Sequence, residues 1–330
     1  MNIDASSMSA HEHELIAEMI DLLQHKLEQQ YEAGATLRDA HPKALGVLRG
    51  EFTVAGDLPP HMRVGVFQPG RVYDCWIRIS NASNEVRSDA EPDLRGFAIK
   101  LACPEAEGNE EHPGEQDFVL MDHPTMPLGT VPMFRDAIYY LTKGSPLGLM
   151  AKFLVTGHMG ALKALHDARR CPTSPFDVRY WSTTPYQFGL DEVVKYGLLP
   201  TSAHRSTLPE KLTEDYLSVA MERHLAVEDA TFDFCVQLQR EGMPIEDAAV
   251  LWNEDVSPFV KVATLRISVQ SFRTAERALL GEALTFSPAH ALPAHAPLGG
   301  LNRARAAIYK SLSEFRHARN RHAPLRATGR

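Results

Sequence analysis

The sequence has little cysteine, no zinc-binding pattern and no long apolar run. Its four cysteines show no CxxC spacing, so we expect reduced, mostly buried thiols without a disulfide framework or a zinc site. They are Cys75, Cys103, Cys171 and Cys235. The HExxH pattern of zinc proteases is absent, although the chain has 15 histidines. No segment approaches the roughly 20 apolar residues of a membrane-spanning helix, so we expect no integral membrane segment.

An excess of positive charge is also lacking. The formal net charge is −8 at pH 7, which argues against general affinity for nucleic acid. Residues 301–330 depart from this average; such a basic stretch can bind a polyanion, although it is more commonly a solvated face. Its cations are Arg303, Arg305, Lys310, Arg316, Arg319, Arg321, Arg326 and Arg330. The stretch Met1–Ala5 lacks the basic and apolar regions of a secretory signal, so we expect a cytoplasmic protein.

One basic segment carries an unusual helical face. Residues 301–316 follow a Pro-Leu-Gly-Gly turn and are rich in good helix formers, with Asn302 as the expected N-cap. Helical spacing places Arg305, Tyr309 and Arg316 on one face, together with Leu312. A nearby cation favours the phenolate form of tyrosine, and phenolate is a ligand for haem iron. A surface stacking pair of Arg305 and Tyr309 is the simpler alternative.

The pattern Arg305-x-x-x-Tyr309, with Arg316 seven residues later, resembles the proximal haem helix of the haem catalase superfamily. The resemblance implies haem b as cofactor, with ferric iron bound by Tyr309 as a tyrosinate. It further implies that Arg305 hydrogen-bonds the tyrosinate oxygen and that Arg316 meets a haem propionate.

A second group of residues matches the distal side of the same family. Arg38 and His41, followed by a basic residue, a glycine and a strand, resemble the distal-histidine segment, which implies that His41 is the distal base and Arg38 a propionate partner. In the predicted strand 72–81, Arg78 would be an odd inward residue unless it met an anion. The pair Arg78-x-Ser80 matches an arginine that binds a propionate and a serine that supports the distal histidine.

Two further stretches continue the resemblance. Residues 95–100 match the family's Arg-Gly-Phe-Ala-x-Lys turn and strand, where we expect the glycine to be structural. Asp122 stands where the family has a distal asparagine. Because an ionised aspartate can only accept hydrogen bonds, we expect Asp122 to be protonated, bonded elsewhere or a second base. Its presence should favour peroxidase turnover over dismutation of hydrogen peroxide.

The family fold implied by this resemblance is α+β, an antiparallel β-barrel with surrounding helices, as one domain over residues 1–330. The expected parts are an N-terminal helix (1–34), the first barrel half with the distal haem side (35–130), a helical insertion (131–225), further strands (226–270), a loop and the proximal haem helix (271–318), and a basic tail (319–330). Within them we expect two helices over 132–169, a helix over 209–225, a short helix over 243–248 and irregular aromatic segments at 179–186 and 194–196.

These motifs occur in the order in which the family has them, and the chain resembles the small catalase-like haem peroxidases. We therefore expect a haem peroxidase that reduces organic hydroperoxides or hydrogen peroxide, with weak catalase activity. The expected partners are peroxide, a small-molecule reductant and further copies of the chain in a dimer or tetramer. The alternatives are an isomerase or lyase of fatty-acid hydroperoxides, a biosynthetic oxidase, a non-catalytic haem protein, and a haem-free scaffold that binds polyanions.

Overall fold

A computed structural model describes residues 8–103 and 114–321. These residues form nine strands and seven α-helices. The strands are β1 (Ala44–Val54), β2 (Val72–Asn81), β3 (Arg95–Ala102), β4 (Glu115–Met121), β5 (Tyr180–Trp181), β6 (Tyr186–Phe188), β7 (Glu192–Pro200), β8 (Ala230–Leu238) and β9 (Val260–Ile267). The helices are α1 (Ala10–Gln30), α2 (Val131–Thr142), α3 (Pro146–Val155), α4 (Met159–Asp167), α5 (Tyr216–Leu225), α6 (Ala275–Ala283) and α7 (Gly300–Asn320).

Eight of these strands close into an antiparallel barrel. Their order is β5-β4-β3-β2-β1-β9-β8-β7, and the pairing of β5 with β7 closes the ring. The short strand β6 pairs with β7 outside the ring. Helices surround the barrel, so the predicted α+β fold with an antiparallel β-barrel is confirmed.

Aromatic side chains fill the barrel. The ring centroid of Phe118 lies 4.6 Å from that of Phe234 and 4.9 Å from that of Tyr196. Phe52 and Phe67 complete this cluster, and all five rings are fully buried. An eight-stranded barrel is just wide enough to be filled by side chains. Ligand space must therefore be sought outside the barrel.

The alternation of β2 separates the packed interior from a polar outer face. Ile77 and Ile79 belong to the barrel core, whereas Arg78 and Ser80 point to the other side of the sheet. The register places Arg78 beside Val47 of β1. Helix α6 covers this outer face, because a Cβ atom on Gly281 would lie 2.7 Å from Val47 Cγ2. Arg78, which would be an odd inward residue unless it met an anion, lies outside the barrel and is buried beneath the covering helices.

The helix that carries Tyr309 is anchored to the N-terminal helix. Ile16 and Met19 of α1 pack with Ala304 and Ile308 of α7, and Val131 of α2 completes this buried cluster. The predicted N-terminal helix is confirmed over Ala10–Gln30. Along the described chain, no helix combines the length and the apolar character needed to cross a membrane.

Residues 131–225, predicted as a helical insertion, contain strands as well as helices. Three helices occupy its first half, because the chain breaks again at Gly157, which has a φ of 76°. Its second half contains β5, β6 and β7 before α5, so the segments predicted to be irregular supply the barrel strands β5 and β7 and the start of the short strand β6. Their aromatic and β-branched residues favour strands once β8 offers a partner for β7.

Three smaller expectations also need correction. The helix predicted over 209–225 begins at Tyr216. No helix forms over 243–248, where Ala248 instead exchanges backbone hydrogen bonds with Gly129 and Met126. Helix α6 was not predicted at all. In the predicted basic tail, residues 322–330 lie outside the described residues, whereas Arg319 belongs to α7.

Replacing Phe118 with Ala should lower the free energy of unfolding by about 3–5 kcal/mol, because the ring is buried and its loss leaves a cavity. Val72→Ala is the control; Val72 lies in β2 with 54% of its surface exposed, and its change should stay within about 0.5 kcal/mol. Urea unfolding followed by circular dichroism measures both. Equal losses would contradict the assignment of the barrel interior.

Candidate active site

His41 lies on the outer face of the barrel, held by three neighbours. Its Nδ1 is 2.9 Å from Ser80 Oγ, and Arg78 Nη2 donates to its carbonyl oxygen at 2.8 Å. A Cβ atom on Gly96 would stand 2.6 Å from His41 Cε1, so the glycine makes room for the ring. His41 itself has a φ of 58°, a left-handed conformation that is costly for a residue with a Cβ atom. This backbone is therefore maintained by the surrounding contacts.

The imidazole of His41 is electrically neutral at neutral pH. Part of its surface stays exposed, yet burial, together with the cations of Arg78, Arg305 and Arg38, lowers its pKa to about 3. Arg305, which belongs to α7, is one of the cations whose charge lowers the pKa of His41. A neutral imidazole in this place has a nitrogen lone pair that can accept a proton.

Three arginines meet beside His41. Arg78 and Arg316 are buried, with 4% and 3% of their surfaces exposed, and the side chain of Arg38 is 16% exposed. Burial and the repulsion of Arg38 lower the pKa of Arg78 to about 9 and that of Arg316 to about 10. Among the described residues, the carboxylate that faces the group is that of Glu282, 3.0 Å from Arg38 Nη1 and 3.5 Å from Arg316 Nη1.

The C-terminal end of α6 compensates part of this charge. Arg38 Nη2 donates to the carbonyl oxygens of Gly281, at 2.7 Å, and of Leu284. Arg316 Nη1 donates to the carbonyl oxygen of Glu282 at 2.6 Å. The last carbonyls of a helix lack partners within the helix and carry its negative dipole end, so they suit guanidinium groups.

One donor of this cluster remains unsatisfied. The buried Nε of Arg78 has no hydrogen-bond partner among the described residues. Three guanidiniums against one carboxylate also leave an excess of positive charge in a buried place, which is costly unless an anion compensates it. The donor set fits a ligand with negatively charged oxygens, such as a carboxylate.

Tyr309 and Arg305 lie on α7 as the spacing predicts. The guanidinium carbon of Arg305 is 5.6 Å from the ring centroid of Tyr309. Arg305 Nη1 donates to Thr184 Oγ1 at 2.9 Å and to Asn302 Oδ1 at 3.1 Å. Burial opposes its ionisation, but contacts with Tyr309 and Tyr186 raise the pKa of Arg305 above its ordinary value. Arg305 is therefore a fixed cation next to two phenols.

Asn302 has another role than the predicted N-cap. The helix begins at Gly300, after Gly299 with a φ of 84°, and Asn302 is fully buried inside it. Its Nδ2 donates to the carbonyl oxygen of Pro185 at 2.8 Å, while its Oδ1 accepts from Arg305 and from Thr184. Sequence reasoning missed Asn302 as a positioning residue, although its three-residue spacing from Arg305 places both on one face.

Asp122 is fully buried at the end of β4, and its oxygens have other partners. Oδ1 accepts from the backbone N–H of Arg95 at 2.7 Å, and Oδ2 lies 3.5 Å from Arg170 Nε. Burial raises the pKa of this carboxyl. No hydrogen bond joins Asp122 to His41 among the described residues. Of the options left open by the sequence, the contacts favour a carboxyl bonded elsewhere.

The structure thus brings most of the predicted residues to one place. His41, Ser80, Arg78 and Arg38 are joined by direct contacts or by charge, and Arg316 joins them through Glu282. Arg305 links this group to Tyr309. Asp122 stays with Arg95 and Arg170. The residues that sequence reasoning missed are Thr184, Tyr186, Glu282 and Asn302.

Comparison with solved structures finds catalases. A fungal catalase matches 85% of this chain and 59% of its own length, with 17% identity and a TM-score of 0.69. Catalase A from Saccharomyces cerevisiae matches 96% and 67%, with 15% identity and a TM-score of 0.70. A bacterial catalase matches 100% and 66%, with 17% identity and a TM-score of 0.67.

The chain therefore has a catalase-like fold, as its motifs predicted. It spans about 59% to 67% of the length of these catalases, and at such low identity the likeness establishes the fold alone. No family model matches the sequence.

Gly96→Ala should lower the free energy of unfolding by about 1–3 kcal/mol, because the new methyl group would overlap the His41 ring. Gly56→Ala is the matched control, since a Cβ atom there meets nothing within 4 Å and it should be neutral or slightly stabilising. Urea unfolding measures the energies, and the imidazole signals in NMR spectra report whether His41 has moved. An unchanged His41 signal with full stability in Gly96→Ala would refute the close approach.

Proposed function

We propose that this chain is a haem-dependent peroxidase that reduces organic hydroperoxides and hydrogen peroxide, with weak catalase activity and a small-molecule reductant. The observation that carries the proposal is the buried excess of guanidinium charge beside a neutral histidine, with a tyrosine–arginine pair on α7. A homo-oligomer of two or four chains and a cytoplasmic location stay predictions from the sequence.

The residues fit haem b between the outer face of the barrel and α7. Its two propionates would bring two negative charges, which together with Glu282 balance the three guanidiniums. Arg38, Arg78 and Arg316 would hold them through charge-assisted hydrogen bonds, and the free Nε of Arg78 is one available donor. Tyr309 would bind the iron as a tyrosinate. Bound ferric haem would supply the redox chemistry of the reaction.

Arg305 prepares Tyr309 for this role. Its guanidinium is held by Thr184 and Asn302, so its charge stays beside the phenol without depending on a ligand. A fixed cation favours the phenolate over the phenol. Arg305 is thus a positioning residue that keeps a positive charge 5.6 Å from the ring centroid of Tyr309.

His41 performs the proton transfers. A neutral imidazole can take the proton of an incoming hydroperoxide and return it to the leaving oxygen atom, which is general acid–base catalysis. Ser80 orients the ring through its contact with Nδ1, and Arg78 orients the backbone through the carbonyl oxygen. Asp122 accepts a hydrogen bond from the backbone N–H of Arg95 at the start of β3, next to Gly96. It takes no part in these proton transfers.

Tyr309→Phe should abolish or strongly reduce haem retention, because the phenyl ring offers no oxygen to iron. Haem content and the absorption spectrum of the purified protein measure this. Tyr186→Phe is the matched control, since it removes the other phenol that contacts Arg305 and should retain haem. A Tyr309→Phe protein with an unchanged ferric tyrosinate spectrum would refute the assignment of Tyr309 as the iron ligand.

His41→Gln should leave haem bound and slow the reaction with peroxide by about 10²–10⁴-fold. The pKa of about 3 means that the base form persists on acidification and is lost only as pH falls towards that value. The wild-type rate constant should therefore stay level through about pH 6.5, where an ordinary histidine titrates.

Stopped-flow absorption with hydrogen peroxide and with an organic hydroperoxide measures both effects. His25→Gln, at an exposed position of α1, is the control and should react as the wild type does. A rate that falls with a midpoint near the ordinary histidine value would contradict the environment described for His41. Turnover of the organic hydroperoxide that consumes no added reductant would favour an isomerase or lyase instead.

A further inference from the structure

Helix α3 is apolar on two opposite faces, and only one of them is covered within the described residues. Leu149 and Phe153 are buried against α2 and α4. The other side exposes the α3 apolar face, which we define as Leu147, Met150, Leu154 and Val155. Their exposed fractions are 77%, 48%, 70% and 86%. A helix that is apolar all round is normally buried, so we expect the α3 apolar face to be covered by a binding partner.

Neighbouring elements extend this surface. Leu141, at the end of α2, is 51% exposed, and Met159, at the start of α4, is 36% exposed. The other exposed large apolar side chains of the described chain lie on loops, on strands and, for Leu279, on α6. Scattered single residues need no explanation, but a contiguous exposed patch marks an interaction site.

The charge around the patch is opposite to that of the whole chain. Residues 143–170 contain five lysines and arginines and one aspartate, a net charge of +4, whereas the full chain carries −8. Lys152 and Lys163 are 41% and 78% exposed. Lys163 pairs with Asp167 at the surface, where such pairs are weak, and Lys152 lies 3.7 Å from Asp136, whose side chain is 16% exposed.

We propose that the hairpin of α3 and α4 docks on a bilayer surface with anionic headgroups. An apolar helical face surrounded by cations is the arrangement that lies in the interface of an anionic membrane. The helix would lie on the bilayer without spanning it, in keeping with its length. The proposal goes beyond the peroxidase function and does not depend on it.

Other occupants fit less well. A symmetric contact between two copies would place the same basic surroundings against each other, which like charges oppose. The chain's own segments outside the described residues are poor candidates as well, because 104–113 has no large apolar residue, 322–330 has Leu325 alone and 1–7 has only Met1 and Ile3. Anionic lipid satisfies both the apolar face and the cations.

Co-sedimentation with vesicles tests the proposal on the full chain. The wild type should bind vesicles of phosphatidylcholine and phosphatidylglycerol, bind phosphatidylcholine alone more weakly, and dissociate at high salt. The double variant Leu147→Ser/Leu154→Ser should lower the partition coefficient by roughly tenfold or more. Lys152→Gln should lower it roughly fivefold. Leu190→Ser, at a position 85% exposed but far along the chain, should leave it unchanged.

A second measurement does not depend on a variant that loses vesicle binding. A tryptophan introduced as Val155→Trp should shift its emission to shorter wavelength on anionic vesicles and be quenched by brominated lipids, whereas Leu190→Trp should not. Absence of vesicle binding, equal losses in the Leu190→Ser control, or an unquenched tryptophan at position 155 would each overturn the proposal. So would a wild-type oligomer that the double variant dissociates in sedimentation velocity while neither binds vesicles, since the face would then join copies of this chain.

Discussion

The mutual repulsion of three buried guanidinium groups is the constraint on which the site depends. Arg38 precedes the barrel, Arg78 belongs to β2 and Arg316 to α7, so the repulsion acts between three distant parts of the chain. The carbonyl oxygens at the end of α6 and the carboxylate of Glu282 hold these groups together. Helix α6 therefore contributes to the site although the sequence predicted neither this helix nor a site residue within it.

The interior of the barrel stabilises the fold, whereas the residues of the candidate site lie on its outer face. Its interior is closed by rings such as Phe118 and Phe234, and the polar side chains of the same strands lie on the outside. Because successive residues of a strand face opposite sides, Ile77 and Ile79 support the core while Arg78 and Ser80 build the site. A one-residue shift of this strand would exchange the two sets and destroy both.

Much of this could be predicted from the sequence, since the strands of the first half and the helix of Tyr309 have clear periodicity. The short strands β5 and β6 could not, because two or three residues show no period and become strands through pairing with β7. The close approach of Gly96 to His41 could not be predicted either, because a glycine in the sequence does not show which residue packs against it. Asn302 resembled an N-cap because its polar side chain suits that position, whereas its buried contacts with Thr184 and Arg305 depend on tertiary packing.

The two roles of Arg78 have a thermodynamic consequence. One of its nitrogens holds the backbone of His41 in a left-handed conformation, while another remains free for an anion. Loading of the anion site and the orientation of the histidine therefore share one side chain and are linked equilibria. A bound anion that stabilises the ordered conformation of His41 must, by thermodynamic reciprocity, bind more tightly when His41 is already ordered. The two free-energy changes are equal. Binding of an anion by Arg78 and ordering of His41 would then be a single cooperative event.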